Sequence, residues 1–177
     1  LGILTALTQP TPEALAAAHQ EGLVRAVGVS NYSVRETKAF AAALRKQGLR
    51  LATNQIEFSL LRRSPETSGL LATCAELGVT PLAYSPLGQG RLTGKYSASN
   101  PPPGNRNFSA HPMETVDEVV AHLRRIGEAN GDKTPGQVAL NWIMTNATEK
   151  TMAVSAIMPE AIVDRMTCAE PSDAAAE

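Results

Sequence analysis

Ser30, Asn31, Gln55 and Tyr84 follow three short apolar runs, and their types would suit a flat ring that carries an amide. An amide needs donors and acceptors at once, and Asn and Gln carry both. Tyr84 adds an aromatic face for stacking. A planar heterocycle stacked on a tyrosine and gripped at its amide by Ser, Asn and Gln describes a nicotinamide site. A second reading makes Ser30 and Asn31 helix-start caps and Tyr84 a core residue. Spacing alone leaves both open.

The segment after Tyr84 reads Ser85-Pro86-Leu87-Gly88-Gln89-Gly90-Arg91-Leu92-Thr93-Gly94-Lys95. Its glycines permit tight turns with bare N–H groups, which suit phosphate oxygens. Lys95 and, further on, Arg106 would supply charge. A Walker A loop fails on register, since it would need glycine where Gln89 stands and Ser or Thr where Tyr96 stands. The three histidines, His19, His111 and His122, are scattered, show no metal-ligand spacing and read as surface residues. Glu57 is the lone carboxylate beside these runs and reads as structural. No arrangement for nucleophilic catalysis can be argued.

These residues are positioned by a repeat. The apolar runs 23–29, 51–54 and 79–83 each start after a glycine (Gly22, Gly48, Gly78) that closes a helix-like stretch. Thr11-Pro12-Glu13, Ser33 with Glu36, Ser64-Pro65-Glu66 and Thr134-Pro135 mark helix starts. A further helix is expected over 114–130, and a weak fourth strand near 153–157. Between them, 88–112 is a long polar connection, of a length that is usually functional or disordered. Apolar strands alternating with helices mean a parallel sheet with helices outside. The spacing of 26 and 30 residues between the three glycines suits one βα unit each. A closed (β/α)₈ barrel takes eight strands and about 250 residues. The 177 residues here supply roughly half, an α/β partial barrel corresponding to the C-terminal four βα units.

Composition narrows the classes. A formal net charge of −1 argues against a nucleic-acid partner. No apolar run approaches the length of a membrane span. Cys74 lies in an apolar helical stretch, and two cysteines without a framework fit a reducing compartment. The chain starts with Leu rather than Met and shows no signal peptide, so the true N-terminus is expected to lie outside it.

Four ordered blocks resemble one family. Val27-Gly28-Val29-Ser30-Asn31-Tyr32-Ser33, Asn54-Gln55-Ile56-Glu57-Phe58-Ser59, Ala83-Tyr84-Ser85-Pro86-Leu87-Gly88-Gln89-Gly90 with Leu92-Thr93-Gly94-Lys95-Tyr96, and Thr134-Pro135-Gly136-Gln137-Val138-Ala139-Leu140-Asn141-Trp142 are similar to aldo-keto reductases. Asn100-Pro101-Pro102-Pro103-Gly104 is similar to their plant and algal chloroplast branch. The resemblance implies an (α/β)₈ barrel that reduces small-molecule carbonyls with NADP(H). It assigns Ser30, Asn31 and Gln55 to the carboxamide grip, Tyr84 to stacking, and Ser85, Pro86, Leu87, Gly88 and Gln89 to the pyrophosphate loop. Lys95 and Arg106 resemble residues that reach the phosphates. The family's catalytic Asp, Tyr, Lys and His come from the barrel's first half, so no catalytic residue is assigned to this chain. The branch resemblance points to the chloroplast, with the cytoplasm as the alternative. The domain is expected over 1–158, with an atypical segment and tail over 159–177 that lack the family's anchors for the adenosine end of the cofactor. The competing readings are a non-catalytic nucleotide-binding or interaction module, self-associating through exposed sheet edges, and an incomplete gene product.

Overall fold

The computed structural model describes residues 11–103, 109, 111–146 and 152–153. Along the chain run α1 (Pro12–Gln20), β1 (Val27–Ser30), α2 (Val34–Lys46), β2 (Leu51–Glu57), α3 (Ser64–Thr67), α4 (Leu70–Leu77), β3 (Thr80–Tyr84), a 3₁₀ turn (Arg91–Thr93), α5 (Met113–Ala129), α6 (Pro135–Asn146) and β4 (Met152–Ala153). The strands form one parallel sheet in the order β1-β2-β3-β4. This is the partial barrel expected from the repeat.

Local chemistry explains most element ends. Thr11 caps α1 through its hydroxyl, with Pro12 in the first turn. Ser33 and Glu36 form a reciprocal capping box on α2. Thr134 and Gln137 do the same for α6, where the Thr134 N–H donates to Gln137 Oε1 at 2.9 Å. Three expectations shift. The first strand starts at Val27 rather than Leu23, because Val27 is the first residue with a ladder partner, Leu51; Leu23 is exposed. Ser64 does not cap a helix through to Gly78. Arg63 is the cap, and Gly69, at φ +78°, breaks the stretch into α3 and α4. The second strand does not stop before Gln55. It continues to Glu57, because Ile56 and Glu57 still pair with Ala83 and Tyr84. Of the expected fourth strand, Ala153 lies in β4 and 154–157 lie outside the described residues.

A one-residue bulge decides which side chains face which way. Val27 pairs with Leu51 but Gly28 pairs with Thr53, so Ala52 is extra. The bulge flips the alternation of β2. After it, Asn54 and Ile56 share the helix side with Leu51, while Thr53, Gln55 and Glu57 face away. On the helix side, Val27, Leu51, Ile56, Val79 and Ala83 pack with Ala41, Leu44, Leu70, Leu71, Cys74 and Ile143. Phe58 is fully buried and lies 5.5 Å, centroid to centroid, from Trp142. A second cluster packs Leu92, at the centre of the 3₁₀ turn, with Val116, Val120, Leu123 and Ala139 of α5 and α6. That cluster pins the loop leaving β3.

Candidate functional site

The open side of the sheet carries Gly28 and Ser30 from β1, Thr53, Gln55 and Glu57 from β2, and Thr80, Leu82 and Tyr84 from β3. Ser30, Gln55 and Leu82 lie in one row across the strands, and Glu57 and Tyr84 pair in the next. At this end the hydrogen bonds converge. The Ser30 hydroxyl donates to the Gln55 carbonyl at 3.1 Å, and the Asn31 N–H donates to the same oxygen at 2.8 Å. The Tyr84 hydroxyl, from two strands away, donates to Asn31 Oδ1 at 3.1 Å. The half-buried Gln55 carboxamide makes no hydrogen bond among the described residues, so both its donor and its acceptor are available.

These contacts bear on the two readings of the sequence. The cap of α2 is Ser33, so Ser30 and Asn31 do not serve as its caps. Tyr84 is half-buried on the open side rather than core. Asn31 has φ +59° and Ser85 φ +51°, left-handed conformations that side chains other than glycine adopt at a cost of about 1 kcal/mol. Both follow directly on strand ends, where retained strain accompanies function more often than chance.

The loop beyond Tyr84 is wound tightly. Gly88, Gln89 and Gly90 are three consecutive left-handed residues, at φ +55°, +55° and +86°. The Gly88 N–H closes a turn onto the Ser85 carbonyl at 2.9 Å, and Gln89 Nε2 donates to Ser85 Oγ at 3.1 Å. Buried Arg91 reaches back through Nη1 to the Gly88 carbonyl at 3.1 Å. The N–H groups of Gln89 and Gly90 have no partner among the described residues. Bare amides in such a run make an anion-binding concavity. Pro86 is buried and Leu87 packs on the α5–α6 cluster, so they shape the loop from beneath. Lys95 stands apart. It is exposed, 5.3 Å from the Tyr96 ring centroid, and no described contact joins it to the Ser30–Tyr84 group. Arg106 lies outside the described residues.

The nearby titratable groups have structural partners. Glu57 Oε1 is 3.5 Å from Arg62 Nε. The Ser33 hydroxyl and N–H hold the Glu36 carboxyl below its usual range. Burial, and then the charge of Glu36, push the Tyr32 phenol up. Sequence reasoning missed one residue altogether. Asn54, placed inside an apolar run, is fully buried and hydrogen-bonded to the segment after β1. The available signal was its polarity, because a buried amide must find partners.

The sequence profile of the Aldo/keto reductase family matches residues 7–168. This chain belongs to the aldo/keto reductase family. A chloroplastic pyridoxal reductase of Arabidopsis thaliana is 39% identical over 131 residues, 73% of this chain and 36% of the relative. An L-glyceraldehyde 3-phosphate reductase of Escherichia coli K12 is 30% identical over 166 residues, 89% of this chain and 48% of the relative. Among solved structures, a glycerol dehydrogenase from Gluconobacter oxydans superposes with a TM-score of 0.73 at 25% identity, covering 88% of this chain and 48% of that one. The aldo/keto reductase chain described here thus spans half or less of the length of these relatives. No described helix is long and apolar enough to cross a membrane.

Proposed function

We propose that this chain is the cofactor-gripping part of an NADP(H)-dependent aldo/keto reductase that reduces aldehyde or ketone carbonyls. The observation that carries the reading is the bond from Tyr84 to Asn31, which ties a flat ring to an amide beside Ser30 and the Gln55 carboxamide, which has no partner among the described residues. In this reading, Asn31, Ser30 and Gln55 hold the nicotinamide carboxamide and Tyr84 stacks on its ring. The bound cofactor supplies hydride. The 85–89 turn, with the bare N–H groups of Gln89 and Gly90, takes the pyrophosphate, with Lys95 and Arg106 as charged neighbours. The proton donor comes from a companion half of the barrel, so this chain alone gives no NADPH oxidation with an aldehyde such as 4-nitrobenzaldehyde. The names of the relatives, a pyridoxal reductase and an L-glyceraldehyde 3-phosphate reductase, support an aldehyde substrate.

The test is a fluorescence titration of the chain with NADPH and, separately, NADH. The expected result is weak, saturable binding that Gln55→Ala abolishes. Preference for NADPH supports the NADP(H) assignment, and equal binding of the two cofactors removes that preference while leaving the pyrophosphate assignment in place. The absence of saturable binding by either cofactor overturns the reading. One observation favours a second reading, a non-catalytic pairing module. Among the described residues β1 pairs only with β2, which leaves its outer edge as a row of unpaired backbone groups. Light scattering coupled to size exclusion decides it, because a monomer at high concentration removes that reading.

A further inference from the structure

Asn54 is the most deeply buried polar residue of the sheet, at 0% exposure, on a face it shares with Val27, Leu51, Ile56, Pro81 and Ala83. A buried amide without partners is strongly destabilising. This one is well satisfied, and its partners lie in one place. Its Nδ2 donates to the Tyr32 carbonyl at 3.0 Å and to Thr37 Oγ1 at 3.2 Å. Its Oδ1 accepts from the Tyr32 N–H at 3.4 Å. The side chain thus grasps both backbone polar groups of Tyr32, the residue that follows left-handed Asn31. Thr37, itself fully buried in the first turn of α2, also donates to the Tyr32 carbonyl, at 3.5 Å. The turn 30–32 therefore hangs from two consecutive residues of β2, the main-chain carbonyl of Gln55 and the side chain of Asn54.

We infer that Asn54 is a positioning residue, which fixes Asn31 in its left-handed conformation and, through the Asn31–Tyr84 bond, fixes the Tyr84 ring. The inference deepens the proposed cofactor reading and rests on it for its functional meaning. Its mechanical content does not need the ligand. The chemistry is specific to an amide. Leucine fills the same space with no polar atom, and ionised aspartate accepts but cannot donate to the Tyr32 carbonyl. The bulge at Ala52 is what turns Asn54 toward Tyr32 and leaves Gln55 on the ligand side. One distortion of β2 thus serves both jobs.

The experiment is amide hydrogen exchange and NMR on the whole chain without ligand, comparing wild type, Asn54→Leu and, as a control on the same face, Ile56→Val. In Asn54→Leu the amides of Asn31 and Tyr32 exchange about tenfold faster relative to that of Ala83, and the Tyr84 ring signals move. In Ile56→Val the three amides change by a common factor. If Asn54→Leu does not fold, Thr37→Val removes one bond of Asn54 together with the Thr37 bond to the Tyr32 carbonyl, leaves the two bonds from Asn54 to Tyr32, and produces the same pattern at smaller size. Exchange at Asn31 and Tyr32 that keeps its ratio to Ala83, with unmoved Tyr84 signals, overturns the inference and leaves Asn54 a satisfied core amide. A parallel NADPH titration separates the two levels. Wild type that binds no NADPH refutes the cofactor reading while the exchange result still decides the role of Asn54. Wild type that binds, with Asn54→Leu binding equally well, refutes the positioning role.

Discussion

The two faces of the sheet are made of alternate residues of the same strands and obey opposite rules. The helix side is closed and apolar, with Phe58, Leu44, Cys74 and Ile143 fully buried. The open side is polar at Ser30, Thr53, Gln55, Glu57 and Thr80, and it ends in two strained residues, Asn31 and Ser85. The packed core lies on one side and the proposed cofactor site on the other, and Asn54 of the packed side reaches the turn that carries Asn31. A barrel interior is ordinarily filled by large branched side chains. Here the two rows nearest the strand ends hold Ser30, Gln55, Glu57 and Tyr84, with Leu82 as their one branched apolar side chain.

Substitutions on the two faces should therefore separate stability from binding. Phe58→Ala removes a fully buried ring and should lower unfolding stability by about 4 kcal/mol, measured by denaturant melting. Gly28→Ala probes the seam. A Cβ there would stand 2.1 Å from Thr53 Oγ1, and a β-branched threonine has little freedom to yield, so a loss of about 2 kcal/mol is expected. Ser33→Ala breaks the α2 capping box and should cost about 1 kcal/mol. It also alters the acid limb of stability. The folded-state pKa of Glu36 is depressed, chiefly by the Ser33 hydroxyl. Its contribution is thus present above the ordinary carboxylate range and lost as pH falls through its lowered value. Ser33→Ala should flatten that part of a pH–stability curve. Gln55→Ala on the open side should change unfolding stability by no more than about 0.5 kcal/mol while abolishing cofactor binding. A large stability loss in Gln55→Ala would erase the contrast between faces. The smallest effect is chemical. Burial pushes the Cys74 thiol up to about 11, so peptide-resolved alkylation should label it only after unfolding.

The sequence carried what is local. The caps at Thr11, Ser33 and Thr134 are set by side chains three residues from their targets, and the glycines at 22, 48 and 78 punctuate a visible repeat. What it did not carry is non-local. The Ala52 bulge exists only in the pairing of β2 with β1, so the placement of Gln55 within a strand, and the turning of Asn54 toward α2, could not be read from the run 51–54. The break at Gly69 was hidden because Leu70, Leu71, Cys74 and Leu77 continue the apolar spacing past it. Among the candidate site residues, the neighbourhood of Ser30, Asn31, Gln55 and Tyr84 was legible because parallel strands end together. The separation of Lys95 was not, since it depends on how Leu92 docks against α5.

The most direct measurement is a two-dimensional NMR titration of the labelled chain with nicotinamide mononucleotide at millimolar concentration. Nicotinamide held at this site should give saturable, concerted shifts of the Asn31 and Gln55 side-chain amides, the Ser30 backbone amide and the Tyr84 ring, with core signals such as Ala83 unmoved. Shifts clustered elsewhere, or movement of only one of the four, would contradict that placement.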